Sequence, residues 1–143
     1  MINQKIRDFG GRMTKIKIGI LDILIEKDCL VSRKEIAKLL LDREIDMDRS
    51  SLYRELQFLL KNKIITETHI NGEDYFEIEN KGCHHHHLIC LNCKNIEKIK
   101  MNNHLEEEEE KIKIAKDFKI IRHSLDFYGY CKKCKNLPSI KTI

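Results

Sequence analysis

Apolar positions in the first half of the chain recur with a helical period. Ile16, Ile20, Ile23 and Leu24 fall at i, i+4, i+7 and i+8 behind Thr14, an N-cap, and predict a helix through about Lys27. Ser32 and Glu35 have capping-box spacing, and Ile36, Leu39 and Leu40 give the helix behind them a buried stripe. A third helix is expected from about Asp48 to Asn62, with Leu52, Leu56, Leu59 and Leu60 inward. The period then changes. Residues 64–70 and 73–78 read as strands around Asn71-Gly72, the pair best able to adopt the positive φ of a type I′ turn. Helices followed by a hairpin predict a winged helix-turn-helix, with any other small α+β domain as the alternative.

Residues 79–83 read as a hinge into a second unit. There 84–90 and 96–99 predict short strands, and a charged helix is expected from Leu105 to about Asp117. A long strand is expected from Lys119 to Tyr130, with Ile121, His123, Leu125 and Phe127 on one face. The pattern is α+β, divided into residues 1–80 and 81–143. No internal repeat is visible, and the acidic run 106–110 is mostly a solvated face.

Composition narrows the setting. The 143 residues are 41% apolar and 35% charged, with a net charge of +4 that permits nucleic-acid binding without demonstrating it. No apolar run approaches the roughly 20 residues that span a bilayer, and residues 1–12 lack the apolar core of a signal peptide. A cytoplasmic protein without a membrane partner is expected. In that compartment thiols stay reduced, and paired cysteines more often hold metal than form disulfides.

Cys90-x-x-Cys93 and Cys131-x-x-Cys134 are two such pairs. Two-residue spacing lets both sulfurs of a pair converge on one ion, and four thiolates complete a tetrahedral zinc shell with no position left for water. A redox dithiol or a disulfide framework is the alternative to structural zinc. Cys29 and Cys83 remain, and a lone cysteine is more often a small buried hydrophobe than a ligand.

His84-His85-His86-His87 leads straight into Cys90. On a strand, His84 and His86 share one face and His85 and His87 the other, so one run can seed two metal sites. A solvent-facing polar cluster is the plainer reading. His123 lies among apolar neighbours, where an imidazole is either hydrogen-bonded in a core or ligating. Glu106 stands near the start of the acidic helix.

On the third predicted helix Ser50, Tyr53, Arg54 and Gln57 form an i, i+3, i+4, i+7 stripe beside the leucine face. That stripe is what a recognition helix presents to the major groove. Tyr53 suits a thymine methyl and Arg54 a guanine or a phosphate. Arg49 and the basic set Lys5, Arg7, Arg12, Lys15 and Lys17 are candidates for the backbone, with Arg12 for the minor groove; ordinary surface charge is the alternative for each.

The run from His84 to Cys93, followed by His123 to Cys131 and Cys134, closely resembles the ferric uptake regulator family. Ser51-Leu52-Tyr53-Arg54 matches that family's recognition-helix signature, and Arg12-Met13-Thr14 with residues 20–24 matches its N-terminal helix. The resemblance spans about residues 10–135. It implies a homodimer of winged-helix domains on C-terminal α/β dimerisation domains, repressing genes by binding double-stranded operator DNA when metal is bound. It carries over Cys90, Cys93, Cys131 and Cys134 as structural zinc ligands, and Glu77, His85 and His87 as the regulatory metal site. His84, His86, Glu106 and His123 match a second site, in which iron regulators commonly have Asp at the position of His86. The family usually adds a histidine just before the second helix. Leu30 stands there instead, and Cys29, His69, Cys83 and Glu97 are candidate extra ligands.

Iron(II) is the effector the resemblance favours, with zinc(II) and manganese(II) as alternatives. Four consecutive histidines are frequent in zinc-responsive members, while peroxide sensors usually place Asp where Glu77 stands. From other classes, an open histidine site would make a small zinc hydrolase, and metal binding without DNA affinity a storage protein.

Overall fold

The computed structural model describes residues 6, 8, 11–79, 85–101, 104–121, 123 and 125–140, and the chain divides into two compact units, 1–81 and 82–143. His84 and Cys83, and also Lys5 and Arg7, lie outside the described residues.

The first unit follows its hydrophobic period. Helix α1 (Lys15–Lys27) starts where the Thr14 side chain accepts from the Lys17 amide, and ends at Asp28 in the left-handed region. A two-residue strand β1 (Val31–Ser32) precedes α2 (Arg33–Asp42), and Ser32 Oγ accepts from the Glu35 amide at 3.2 Å. The Glu35 carboxylate binds Lys27 at 2.9 Å. Helix α3 (Arg49–Lys61) is capped by Asp48, whose side chain accepts from the Ser51 amide. That amide holds the Asp48 carboxyl below the usual range.

Strands β2 (Ile65–Ile70) and β3 (Glu73–Ile78) pair antiparallel around Asn71 and Gly72, both at positive φ, as a type I′ turn requires. The sheet order is β1-β3-β2, with Val31 opposite Phe76. The pairing of β1 left no sequence signal, because two residues carry no period. Ile20, Ile23, Ile36, Leu40, Leu56, Leu59 and Phe76 form the sealed centre of this unit's core. Charged pairs tie α2 to the hairpin: Arg33 to Asp74, and Lys34 to Glu73 at 2.5 Å.

The second unit is a three-stranded sheet of order β5-β4-β6 and a helix. Its strands are β4 (His86–Cys90), β5 (Ile96–Ile99) and β6 (Asp126–Gly129), and helix α4 (His104–Lys116) lies between the last two in sequence. β4 pairs antiparallel with β5 and parallel with β6. Among the described residues, the long strand expected from Lys119 to Tyr130 is a four-residue strand, and its ladder begins at His87 opposite Asp126, one residue from the start of β4. The apolar face expected along it is also not sealed, since Ile121 is 79% exposed. Ile114 and Phe118 are exposed too. Among the described residues, no helix is long and apolar enough to cross a membrane.

Leu56 is 1% exposed at the centre of the first unit, whereas Leu41 on α2 is 56% exposed. Leu56→Ala should lower unfolding free energy by about 2–5 kcal/mol, and Leu41→Ala by less than about 0.5 kcal/mol. Urea denaturation of the two variants checks both.

Candidate metal centres

Both cysteine pairs sit on tight turns next to the same ladder. β4 ends at Cys90, and residues 91–93 turn so that the Lys94 amide returns to the Cys90 carbonyl at 2.9 Å. On the other side, the Cys134 and Lys135 amides both return to the Cys131 carbonyl at 2.9 Å. The four sulfurs lie within 4.8 Å of one another. Cys93 and Cys131 are 3.7 Å apart, far beyond a disulfide bond. Four thiolates at the usual Zn–S length of about 2.3 Å would lie about 3.8 Å apart. The donor set and spacing therefore fit tetrahedral zinc, and the disulfide framework does not hold.

Backbone amides prepare these sulfurs for negative charge. The Cys131 amide donates to Cys90 Sγ at 3.4 Å, and with that of Cys93 it brings the Cys90 thiol down to about 6. Cys93 moves the other way, up to about 11: the Asn95 amide favours its thiolate, but the Cys90 sulfur, desolvation and the remaining sulfurs outweigh it. Without a cation, four adjacent sulfurs cannot all ionise. Asn92 Nδ2 donates to Cys134 Sγ at 3.3 Å, a contact the sequence did not single out.

The histidines divide as strand alternation requires. The rings of His85 and His87 meet edge to face with centroids 5.1 Å apart. His86 instead approaches His123, at 6.0 Å between centroids. Both His86 and His87 are 4% exposed, and each Nδ1 has an acceptor. His86 Nδ1 donates to the Leu125 carbonyl at 2.9 Å, and His87 Nδ1 to an Asp126 carboxylate oxygen at 3.1 Å. His123 Nδ1 donates to Glu109 at 2.5 Å. Glu109 and Asp126 were missed by sequence reasoning. No local spacing signals them, because each meets its imidazole from a distant part of the chain.

Glu106 is exposed on α4. Glu97 accepts from Asn95 at 2.9 Å and stands opposite Leu88 in register, so it lies on the sheet face away from His87. His69 Nδ1 meets Asp74 at 2.8 Å within the hairpin. Glu77 lies on β3 of the first unit, opposite Thr66, and Cys29 is half-buried after α1. Leu30 is buried.

On α3, Arg49, Ser50, Tyr53, Arg54 and Gln57 are all exposed while Leu52, Leu56 and Leu59 are buried. Arg54 donates to Ser51 Oγ at 3.1 Å. Arg12 is exposed, but Lys17 is not the surface cation the sequence led one to expect. It is 3% exposed, because its ammonium is fully engaged inside: 2.7 Å from the Arg12 carbonyl, 3.3 Å from Glu55 on α3 and 3.9 Å from the Phe58 ring centre. Thr14 Oγ1 also donates to Glu55, at 2.7 Å.

The model of the ferric uptake regulator family matches residues 8–128. The chain belongs to that family. Ferric uptake regulators are dimeric, DNA-binding and metal-responsive transcriptional regulators, and not enzymes, so the hydrolase and storage readings fall. The ferric uptake regulation protein of Vibrio vulnificus is 31% identical over 140 residues, which is 95% of this chain and 93% of that protein. The ferric uptake regulator of Vibrio cholerae, solved with rearranged DNA-binding domains, has a TM-score of 0.76 at 29% identity, covering 90% of this chain and 98% of its own. That of Helicobacter pylori, with three functional metal binding sites, has a TM-score of 0.77 at 25% identity, covering 96% and 91%. The fold is accordingly a winged helix-turn-helix joined to an α/β dimerisation domain.

Cys90→Ser and Cys131→Ser should each release bound zinc and unfold the second unit while leaving the first intact. Zinc analysis together with amide NMR spectra, in which signals of residues 82–143 collapse and those of the winged helix persist, checks this. Because the ligands must be thiolates, zinc affinity should fall as pH is lowered.

Proposed function

We propose that this chain is an iron(II)-responsive repressor that binds operator DNA as a cytoplasmic homodimer. In this reading Cys90, Cys93, Cys131 and Cys134 hold a structural zinc. Glu77, His85 and His87 take the regulatory metal, and His84, His86, Glu106 and His123 a second ion. The alternation of imidazoles on β4 carries the reading, since it gives one short strand two separate nitrogen-donor faces beside a closed sulfur site. Relatives support it: the Helicobacter pylori regulator has three functional metal sites, and that of Francisella tularensis was solved with iron. Dimerisation is supported by Ile112, Ile114, Phe118 and Ile121, exposed apolar residues that a solvated monomer would leave bare.

Glu77, on β3, and His85 and His87, at the start of β4, would hold the regulatory ion. Joined through it, they would restrict the angle of the winged helix on the dimerisation domain, and in a dimer that angle would set the spacing of two α3 helices against two half-sites. Metal favours the DNA-competent conformer by its higher affinity for it. On α3, Tyr53 and Arg54 read bases, Ser50 and Arg49 contact phosphates, and Arg12 enters the minor groove.

A zinc-responsive regulator is the second reading, favoured by His86 where iron members carry a carboxylate. An anaerobic DNA-binding titration with iron(II), manganese(II) and zinc(II), starting from protein that retains only its cysteine-bound zinc, separates the two. Activation by zinc at the lowest buffered concentration would move the assignment to zinc. His85→Ala/His87→Ala should abolish metal-dependent DNA binding and leave a folded dimer; unchanged metal dependence would overturn the sensor assignment. Arg54→Ala, at an exposed position, should weaken specific binding by about 1–3 kcal/mol without loss of stability, as read by titration against specific and scrambled duplexes.

A further inference from the structure

We propose that Asp126 is a positioning residue for metal ligation by His87: its carboxylate holds the Nδ1–H, so that Nε2 is the nitrogen with a lone pair to give. The inference rests on the regulatory-site reading above and extends it to a residue outside the ligand set.

The parallel ladder makes the contact. Asp126 is the Cα partner of His87, so their side chains leave the sheet on the same face, and the carboxylate reaches Nδ1 at 3.1 Å. Both side chains are largely shielded, at 6% and 13% exposure. A carboxylate oxygen can only accept, which assigns the proton to Nδ1. A neutral imidazole in water favours the proton on Nε2, the atom that would have to ligate; a fixed acceptor at Nδ1 reverses that preference and stops the ring from rotating. The charge of Asp126 also makes the imidazole a better donor to a cation.

The neighbouring residues show that this is a construction of the 123–126 segment and not one chance pair. One residue earlier, the Leu125 carbonyl takes the Nδ1–H of His86 at 2.9 Å, and a carbonyl likewise can only accept. His123 is held in the same way by Glu109. All three imidazoles are thus set in one tautomer. Consecutive acceptors at Leu125 and Asp126, where β6 begins, serve consecutive histidines on β4, whose side chains take opposite faces. This also separates two acidic roles on α4: Glu109 orients His123, which leaves the ligand role to Glu106.

The test uses the full chain with its cysteine-bound zinc and cobalt(II) as probe, followed by its visible absorption. Asp126→Leu should weaken cobalt binding at the His85/His87 site by about 10–100-fold. In the cobalt-free protein, nitrogen-15 spectra should show the His87 proton moving from Nδ1 to Nε2, a change that a merely structural role for Asp126 would not produce. Asp126→Asn keeps an acceptor oxygen and sheds the charge, so it should retain the Nδ1 tautomer with a smaller loss of affinity. Unchanged cobalt affinity in Asp126→Leu, or an unmoved proton, overturns the proposal. Should Asp126→Leu fail to fold, wild-type affinity in Asp126→Asn overturns it instead. His87→Ala keeps the two failures apart. If that variant binds cobalt as the wild type does, the regulatory-site reading itself is wrong and the role of Asp126 falls with it. If His87→Ala is weakened and the Asp126 variants are not, only the role of Asp126 is wrong.

Discussion

Four cysteine sulfurs within 4.8 Å of one another can all ionise only beside a cation, and they stand where β4 ends and just beyond β6. The second unit's sheet has strands of five, four and four residues. Among the described residues, Ile89, Cys90 and Cys134 are the only apolar side chains it fully buries. So small a core cannot offset the entropy of ordering the segment by burial alone. The winged-helix unit, by contrast, buries a continuous cluster drawn from three helices and a hairpin. With zinc on the four sulfurs, as proposed, the two halves would be stabilised by different physics: one by apolar area, the other by thiolate–metal bonds. Those bonds would brace β4 against β6, since Cys90 ends one strand and Cys131 follows the other. The parallel ladder itself places His87 opposite Asp126.

The elements that the sequence announced are those with a long period or obligatory turn chemistry. Thr14, Ser32 and Asp48 each cap the helix expected of them, and Asn71-Gly72 sets the hairpin register. Strand β1 was invisible because Val31 and Ser32 are too few to alternate, and because its pairing depends on β3 far along the chain. The strand expected from Lys119 to Tyr130 failed for a different reason. Alternation of Ile121, His123, Leu125 and Phe127 is a real pattern, but alternation records only which residues could share a face. A strand also needs a partner ladder, and among the described residues β4 supplies one from Asp126 onward.

Of the candidate sites, spacing alone disclosed the cysteines, because both sulfurs of each pair lie on one turn. It could not disclose the acceptors behind the histidines. Asp126 and Glu109 meet their imidazoles across a sheet and between a helix and a loop, at separations of 39 and 14 residues that no local pattern encodes. Lys17 shows the same blindness in reverse. Its charge suggested a phosphate contact, but burial against Phe58 and pairing with Glu55 make it a strut between the Arg12 backbone and the recognition helix. Among the described residues of that segment, the exposed cations are Arg12 and Lys15. The Arg12 segment and α3 are therefore held together by one buried ammonium.

Ligand chemistry alone does not choose iron. Sites of two or three imidazoles and a carboxylate bind zinc(II) more tightly than iron(II) whatever the protein does, since affinity rises along the divalent series from manganese to copper and stays high at zinc. An iron response in such a protein must come from the far larger free pool of iron(II) in the cell, or from a coordination number that a four-coordinate zinc does not reward. In the proposed sites, His86 in place of a carboxylate would remove one negative charge from the second, and Leu30 would leave the first without one imidazole. Both departures would lower ligand strength for a hard ion. The regulatory metal would then depend on a short ligand set whose geometry is imposed in advance, with Asp126 at the start of β6 as the imposing group. In a site with few ligands, a reversed tautomer at one imidazole removes a donor outright. On that proposal, the sheet register that fixes the tautomer bears on metal response as directly as the ligands do.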